Sequence, residues 1–396
     1  MSERNVFVNL NVSNDSNFEA DSGYIFQKLL YSKLTELDEK TRIFFLGHQT
    51  TTEPWNDKVT MIPFHDRFDK YSTRFHFDWH GLKDVLRKLP QMDVVVNNQP
   101  EHTLAMKMLF SSEYDHEVPV VSYYHYLPFH YDGSALALDE SQNLHGFAAG
   151  HIMRRNIEAM GVSDLNLIGS NFGKEICRRA FEDCRRKELR QPFEVLSPPI
   201  EDELFQAGKT TRSEIARVLY NQRLYKHYGT EQVIDLLDEL SREEGFELVI
   251  SDPTAKRSAE RNRLDPNVNG IRERLARFPF IRMAQSETRR AYHELLSSVD
   301  FAVAPIKPSA LWSMAVTDVL ASGKPVLCPN MAAFPEIVPS SPDLLFNDRR
   351  DFRAKFRAIL RGDGGVNIDP ARLRSNVEAY SEVKTAQRML QLIESL

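Results

Sequence analysis

The segment Val299–Ile337, VDFAVAPIKPSALWSMAVTDVLASGKPVLCPNMAAFPEI, constrains the fold more than any other stretch of the chain. Phe301–Pro305 is an apolar run of the length of one buried strand. Met314–Ala321 carries a helical pattern, Gly323 stands where a helix ends, and Pro325 lies just beyond it. A second apolar run, Pro325–Cys328, leads into a polar turn and then Pro335-Glu336-Ile337. Strand, helix, strand, loop is one βαβ unit. Such units assemble into parallel sheets whose ligands collect at the carboxyl ends of the strands.

The same alternation runs along the whole chain. In the first half, strands are predicted at Asn5–Val12, Arg42–Gly47, Val59–Pro63, Asp93–Asn97, Pro119–Tyr124, Leu165–Ile168 and Phe193–Leu196. Helices are predicted at Tyr24–Leu37 and Ser141–Met160. Ser197-Pro198-Pro199-Ile200 interrupts regular structure, and the polar stretch Gln206–Ser213 follows. The second series has strands at Ala216–Tyr220, Phe246–Ile250, Phe280–Met283, Asp300–Ala304 and Pro325–Cys328. Its helices are Thr230–Arg242, Asn269–Arg277, Glu287–Ser297, Met314–Ala321 and Arg350–Leu360. Two α/β halves of about 190 residues imply two Rossmann-like, doubly wound domains facing a cleft. Their expected bounds are residues 1–197 and 198–380. Residues 381–396 form an amphipathic helix able to pack back on the first domain.

Length supports this division, because 396 residues exceed one ordinary core. The net charge of −6 argues against broad electrostatic binding to nucleic acid. The Arg- and Lys-rich stretch Lys174–Arg190 also holds Glu175, Glu182, Asp183 and Glu188, and reads as a solvated helix face. No apolar run is long enough to cross a bilayer, and MSERNVFVNL lacks the features of a signal peptide, so a cytoplasmic location is expected. Cys177 and Cys184 lie two turns apart on a helix and read as packing thiols on one face. With no CxxC and no Cys/His cluster, no metal site is expected. The chain has no Asp-x-Asp, Walker A or full Gly-x-Gly-x-x-Gly sequence, which lowers NTPase and dehydrogenase readings.

Several polar residues stand at predicted strand ends. Val218–Arg223 is a strand ending in Asn221-Gln222-Arg223, with Lys226 beyond it. Val120–Tyr126 runs into His125, and Asn97–His102 follows another strand. Ser22-Gly23 opens the first helix. Asp318 lies in the helix before Gly323, and Pro308-Ser309-Ala310-Leu311-Trp312-Ser313 precedes that helix. The stretch His65–His80 is rich in His and aromatic residues but lacks metal spacing, and reads as an irregular loop.

The order of these features resembles the donor-sugar half of GT-B glycosyltransferases, especially the retaining glycosyltransferase family 4. The likeness covers roughly Glu194–Leu360 and is weak over the first half. It implies transfer of a sugar from a nucleotide-diphosphate donor to a hydroxyl acceptor, with no cofactor and no metal ion. Asp318 then stands where the family has a glutamate that holds ribose hydroxyls. A carboxylate accepts two such bonds, although a surface acid on an amphipathic helix has the same signature. A further family glutamate falls on Ala310, or on Ser309 with a shift of one, so that carboxylate is absent here. Backbone N–H groups of Ser309, Ala310, Leu311 and Trp312 remain candidates for the diphosphate, and Trp312 serves equally well as a packing residue.

Arg223 corresponds to an arginine that binds the diphosphate through a planar fork. Lys226 falls about three residues before the family's lysine, and His227 or Tyr228 are alternatives to it. Glu336 stands near the sugar, or is simply an acid favoured at a helix start. In the first half the resemblance places His125 near the transferred sugar, where a neutral imidazole bonds a hydroxyl. Asn98, Glu101 and Gly23 line the acceptor side. His125 and Arg223 are the expected catalytic pair. Two competing readings stay open: a nucleotide-sugar epimerase of the same fold, and a binding protein without catalysis, which the missing glutamate favours.

Overall fold

The computed structural model describes residues 3–10, 21–47, 53–64, 72–139, 148–206, 214–252, 267–284, 286 and 288–396. The chain forms two compact units. The first contains Gly23–Pro199, the opening strand and Glu382–Leu396; the second contains Ile200–Ser381.

In chain order the first unit runs β1 (Arg4–Asn9), α1 (Ser22–Leu37), β2 (Thr41–Gly47), β3 (Val59–Pro63), α2 (Trp79–Leu86), β4 (Val94–Asn97), α3 (Thr103–Tyr114) and β5 (Val120–Tyr124). It continues with β6 (Phe129–Asp132), β7 (Ala135–Leu138), α4 (Ala149–Val162), β8 (Leu165–Ile168), α5 (Asn171–Arg185) and β9 (Phe193–Val195). Seven of these strands form a parallel sheet in the order β3-β2-β1-β4-β5-β8-β9, and β6 and β7 pair as an antiparallel hairpin. Every residue of β4 and β5 is buried. Continuous apolar runs of this kind are what a parallel strand covered on both faces requires. Phe7, Val95, Phe110 and Val120 lie in the packed core of this unit.

The second unit runs β10 (Ala216–Tyr220), α6 (Thr230–Ser241), β11 (Phe246–Ser251), α7 (Asn267–Leu275), β12 (Ile281–Ala284), α8 (Arg289–Ser298) and β13 (Phe301–Val303). After these come α9 (Met314–Ala321), β14 (Val326–Pro329), α10 (Phe334–Ile337), β15 (Leu345–Phe346), α11 (Arg349–Arg361) and α12 (Pro370–Ser375). Its parallel sheet has the order β12-β11-β10-β13-β14-β15. The last helix, α13 (Glu382–Glu394), belongs to the first unit, where Arg388 pairs with Glu194 at 3.0 Å.

Both sheets reverse direction at a central strand. In the first unit the chain builds outward from β1 to β2 and β3, then returns to β4 on the other side. In the second it builds from β10 to β11 and β12, then returns to β13. The crevices at β1/β4 and β10/β13 are therefore topological switch points, where open α/β sheets take their ligands.

The predicted sheet strands and long helices appear within a few residues of their expected bounds. Residues 65–71, 141–147 and 207–213 lie outside the described residues, and so does the end of the strand expected at Asn5–Val12. Several features differ from expectation. The tail of the His65–His80 segment is not loop: Asp78 accepts from the Gly81 N–H at 2.9 Å and starts α2. Residues 103–114 form α3, and the β6–β7 hairpin follows β5. Cys177 and Cys184 do not share a packed face: Cys177 is buried and Cys184 is exposed, because α5 ends one residue beyond Cys184.

Candidate functional site

In the second unit, the β10/β13 switch point lies beside a cluster of buried charge. Asp318 projects from α9 and is only 4% exposed. Burial pushes its carboxyl up to about 6, while the Arg289 charge and a hydrogen bond from Tyr292 pull in the opposite direction. The Tyr292 hydroxyl also accepts from Asn221 Nδ2 at 2.9 Å, and the same amide donates to the Ala315 carbonyl at 3.1 Å. Asn221, the first residue after β10, is thereby tied to α8 and α9.

Arg289 makes a two-pronged contact with Glu201, at 3.0 Å from Nε and 2.8 Å from Nη2. His293, one turn along α8, bonds the same carboxylate. Burial would raise the Glu201 carboxyl, but its bonds to His293 and Arg289 win and hold it at about 2. Burial likewise opposes the Arg289 charge, and Asp318 with Glu201 outweighs it. Two carboxylates near one guanidinium are thus driven apart: Glu201, bonded directly, is locked as an anion, and Asp318 titrates near neutrality.

Arg223 follows β10 and is half-buried, whereas Lys226 is exposed on a short turn. Gly229 lies at φ +64° and caps α6, with space so tight that a Cβ there would meet the Ile306 carbonyl oxygen at 2.5 Å. The start of α6 is therefore pressed against the loop after β13. That loop is tied in turn to the one after β14, because the Ala333 N–H donates to the Ala310 carbonyl at 3.1 Å.

The Ala310 N–H donates to the Lys307 carbonyl at 3.1 Å. A turn thus takes one of the backbone donors expected to face a diphosphate. Leu311 is buried and Ser309 half-buried. Trp312 packs edge-on against Tyr380 with ring centroids 4.7 Å apart, so its packing role is observed directly. Ser313 caps α9 by accepting from the Val316 N–H at 3.4 Å. Glu336 sits half-buried in the first turn of α10.

In the first unit, polar side chains meet at the β1/β4 switch point. Asn9 and Asn97 are register partners at the ends of the two strands. Asn98 Nδ2 donates to the Asn9 carbonyl at 3.0 Å, which fixes Asn98 with its oxygen outward. That Oδ1 accepts from Gln27 Nε2 at 3.1 Å and lies 2.7 Å from His125 Nε2. An oxygen cannot donate, so His125 Nε2 carries the proton, and in the neutral ring the lone pair is on Nδ1. Phe26 and Tyr123 flank the same ring, at centroid distances of 5.3 and 4.5 Å.

The structure therefore gives Asn98 the task of holding His125. Glu101 is likewise committed: Arg74 Nε donates to it at 2.7 Å, and both side chains are buried. Burial would raise the Glu101 carboxyl, yet the Arg74 and His102 charges keep it below its ordinary value. Gly23 lies in the first turn of α1.

The sequence reading passed over Glu201, Arg289, Tyr292, Asn9 and Gln27, and gave Asn221 only as a polar strand end. Their importance comes from contacts between elements distant in the chain, which no local spacing encodes. The one local signal was Glu201 itself, an acid directly after the Pro198-Pro199 break.

Among the described residues there is no group of three His, Cys, Asp or Glu placed to hold a metal ion. Among them no helix is long and apolar enough to cross a membrane. No family model matches the chain, and no curated protein sequence matches it. Solved structures do. A sucrose-phosphate synthase from Thermosynechococcus elongatus superposes with a TM-score of 0.73 at 11% identity, covering 99% of each chain. A UDP-forming α,α-trehalose-phosphate synthase from Burkholderia xenovorans gives 0.70 at 12% identity, covering 100% of this chain and 99% of the other. Anabaena HepE, solved with UDP and glucose, gives 0.68 at 12% identity over 99% of each chain. Likeness at this identity over full length establishes the fold: the chain has the two-unit α/β architecture of the GT-B glycosyltransferases.

Proposed function

We propose that this protein transfers a sugar from a nucleotide-diphosphate sugar to a hydroxyl acceptor, with retention of configuration and without a metal ion. The observation that carries the reading is the buried carboxylate of Asp318 beside the β10/β13 switch point, in a fold shared over full length with enzymes of this class. The second unit holds the donor. Asp318 accepts from the ribose hydroxyls, and Tyr292 and Arg289 keep its carboxyl in place. Arg223 faces the diphosphate, where a planar guanidinium makes paired bonds to phosphate oxygens and offsets charge on the leaving group. Lys226 adds a mobile positive charge. The loop of Ser309, Leu311 and Trp312 and the start of α10 at Glu336 border the sugar.

The first unit holds the acceptor. His125, with its proton fixed on Nε2 by Asn98, lies near the transferred sugar. Asn98, Glu101 and Gly23 shape that side. The absence of a carboxylate at Ala310 favours a second reading, a nucleotide-sugar-binding protein without turnover.

Thermal shifts with UDP, GDP, ADP and their sugars, each with and without EDTA, test the proposal. One nucleotide is expected to raise the melting temperature regardless of EDTA. A ligand present at 100 times its Kd stabilises by about 2.7 kcal/mol. Arg223→Ala is expected to weaken that ligand by about 1.5–3 kcal/mol, the worth of a charged hydrogen bond. No shift with any nucleotide at millimolar concentration sinks the donor site. A shift without sugar release in the presence of diverse acceptors moves the conclusion to the binding protein.

A further inference from the structure

The amides at the β1/β4 switch point fix one another's orientation, and the chain of bonds leaves one donor over. The Gln99 backbone N–H donates to the Asn97 side chain at 3.0 Å, so the atom it meets is Oδ1. The Asn9 side chain lies 3.1 Å from that oxygen and must present its NH2 group. The same NH2 lies 3.1 Å from the Gln99 side chain, which must turn its oxygen inward. Asn97 spends its own NH2 on the Gln99 carbonyl at 2.7 Å and on Thr103 Oγ1 at 3.1 Å. What remains is the Gln99 NH2: it is buried, it has no hydrogen-bond partner, and it belongs to a residue 5% exposed. A buried amide donor without a partner is costly to keep and is normally satisfied.

The chemistry of the surroundings narrows what would satisfy it. An NH2 group needs an oxygen that accepts. The polar groups that orient it are neutral amides and the hydroxyl of Thr103. Glu101, two residues further along the chain, is paired with Arg74. The side chains bonded within this amide network, Asn9, Asn97 and Thr103, are uncharged, so a neutral hydroxyl oxygen suffices as the acceptor. Asn9 ties the site to His125, because its side chain orients Gln99 while its carbonyl orients Asn98, which holds the imidazole.

We propose that the β1/β4 crevice of the first unit binds a neutral, hydroxylated ligand, a sugar, and that the Gln99 NH2 donates to one of its hydroxyl oxygens. This rests on the reading of the first unit as the acceptor unit and adds to it the group that selects the acceptor. The buried carboxamide oxygen is a structural anchor, and the idle NH2 is the recognition element.

The test uses the full chain labelled with 15N at glutamine side chains, with the Gln99 signal assigned by its loss in Gln99→Met. Glucose, sucrose, glycerol and glucose 6-phosphate are titrated in separate samples, each in the presence and absence of UDP. The expected result is a saturable shift of the Gln99 NH2 signals with a neutral sugar, absent from exposed glutamines. Gln99→Met serves for assignment only, because it removes the oxygen that accepts from Asn9 together with the NH2. Two results overturn the proposal: no saturable shift with any of these compounds, or a shift with the phosphorylated sugar alone. Calorimetry with UDP on the same samples judges the donor site independently, so a failure of Gln99 and a failure of the transferase reading are told apart.

Discussion

At the scale of single residues, Asp318 is held in a state that costs stability. Its carboxyl titrates near 6 in the folded chain, against an ordinary value of 3.8. Between those values the folded form holds a proton that the unfolded form has lost. Stability is therefore fullest below about pH 4 and falls as pH rises through 6, by about 3 kcal/mol for a shift of about two units. Asp318→Asn is expected to be more stable than the parent at pH 8 by up to that amount, with the advantage gone at pH 4. Urea unfolding at the two pH values measures it. The same variant is expected to lose donor affinity. If Asp318→Asn is less stable at pH 8, the carboxylate is a structural charge bonded to Arg289 and not one reserved for a ligand. Glu201 has the opposite sign: its lowered value contributes stability above pH 4.5 that is lost as pH falls toward 2. Glu201→Gln is thus expected to destabilise at pH 7 and to have little effect near pH 2. Asp318 was legible in the sequence because a helix-ending Gly323 and a following strand frame it. Arg289, Tyr292 and Glu201 were not, because what recruits them is proximity in the fold. Glu201 and Asp318 are 117 residues apart in the chain and become electrostatic neighbours only once α8 and α9 are in place.

At the scale of elements, the strands of the two sheets were readable because parallel strands buried on both faces are nearly continuous apolar runs. Helices beginning at a clear signal were readable too, as with Met314–Ala321 ahead of Gly323. The elements that went unread lack those signals. The strand β7 is two-sided and half-exposed, so it has neither an apolar run nor a clean alternation. In α3 the apolar residues are spread around the helix, with Met108 66% exposed, and no stripe marks a face. The start of α6 carries a constraint that becomes visible only in three dimensions. Gly229 has φ +64°, and a Cβ there would meet both the carbonyl oxygen and the Cβ of Ile306. Gly229→Ala is expected to cost about 1–3 kcal/mol, a sum of left-handed strain and displacement of the loop after β13. Urea unfolding checks this. A variant as stable as the parent would show that the α6 start is not seated against Ile306.

At the scale of the molecule, the chain enters the main body of the second unit after Pro199 and leaves it after Ser381, while Asp21 and Ser22 also group with that unit. Within the second unit these two ends are tied to each other: the Ile200 N–H donates to the Tyr380 carbonyl at 2.8 Å, and Ile200 bridges Ser381. The return crossing delivers α13 to the first unit, where it buries Thr385, Ala386, Met389, Leu392 and Ile393. Arg388 meets Glu194, and Glu394 meets Arg4 of β1 at 3.3 Å. Those exposed ion pairs contribute little, so the attachment rests on the apolar face. The first unit therefore depends on a segment that is synthesised after the whole of the second. Removing residues 382–396 is expected to lower the unfolding temperature of the first unit and to leave that of the second unchanged. Calorimetry of the truncated chain then shows two separated transitions, and a nucleotide that stabilises the second unit raises only the upper one. A single transition shifted as a whole would mean that the stability of the second unit also depends on α13. Charge-neutral variants of Arg388 and Arg4 are expected to leave the profile of the intact chain within about 1 kcal/mol of the parent. A loss as large as that of the truncation would place the attachment in the ion pairs instead.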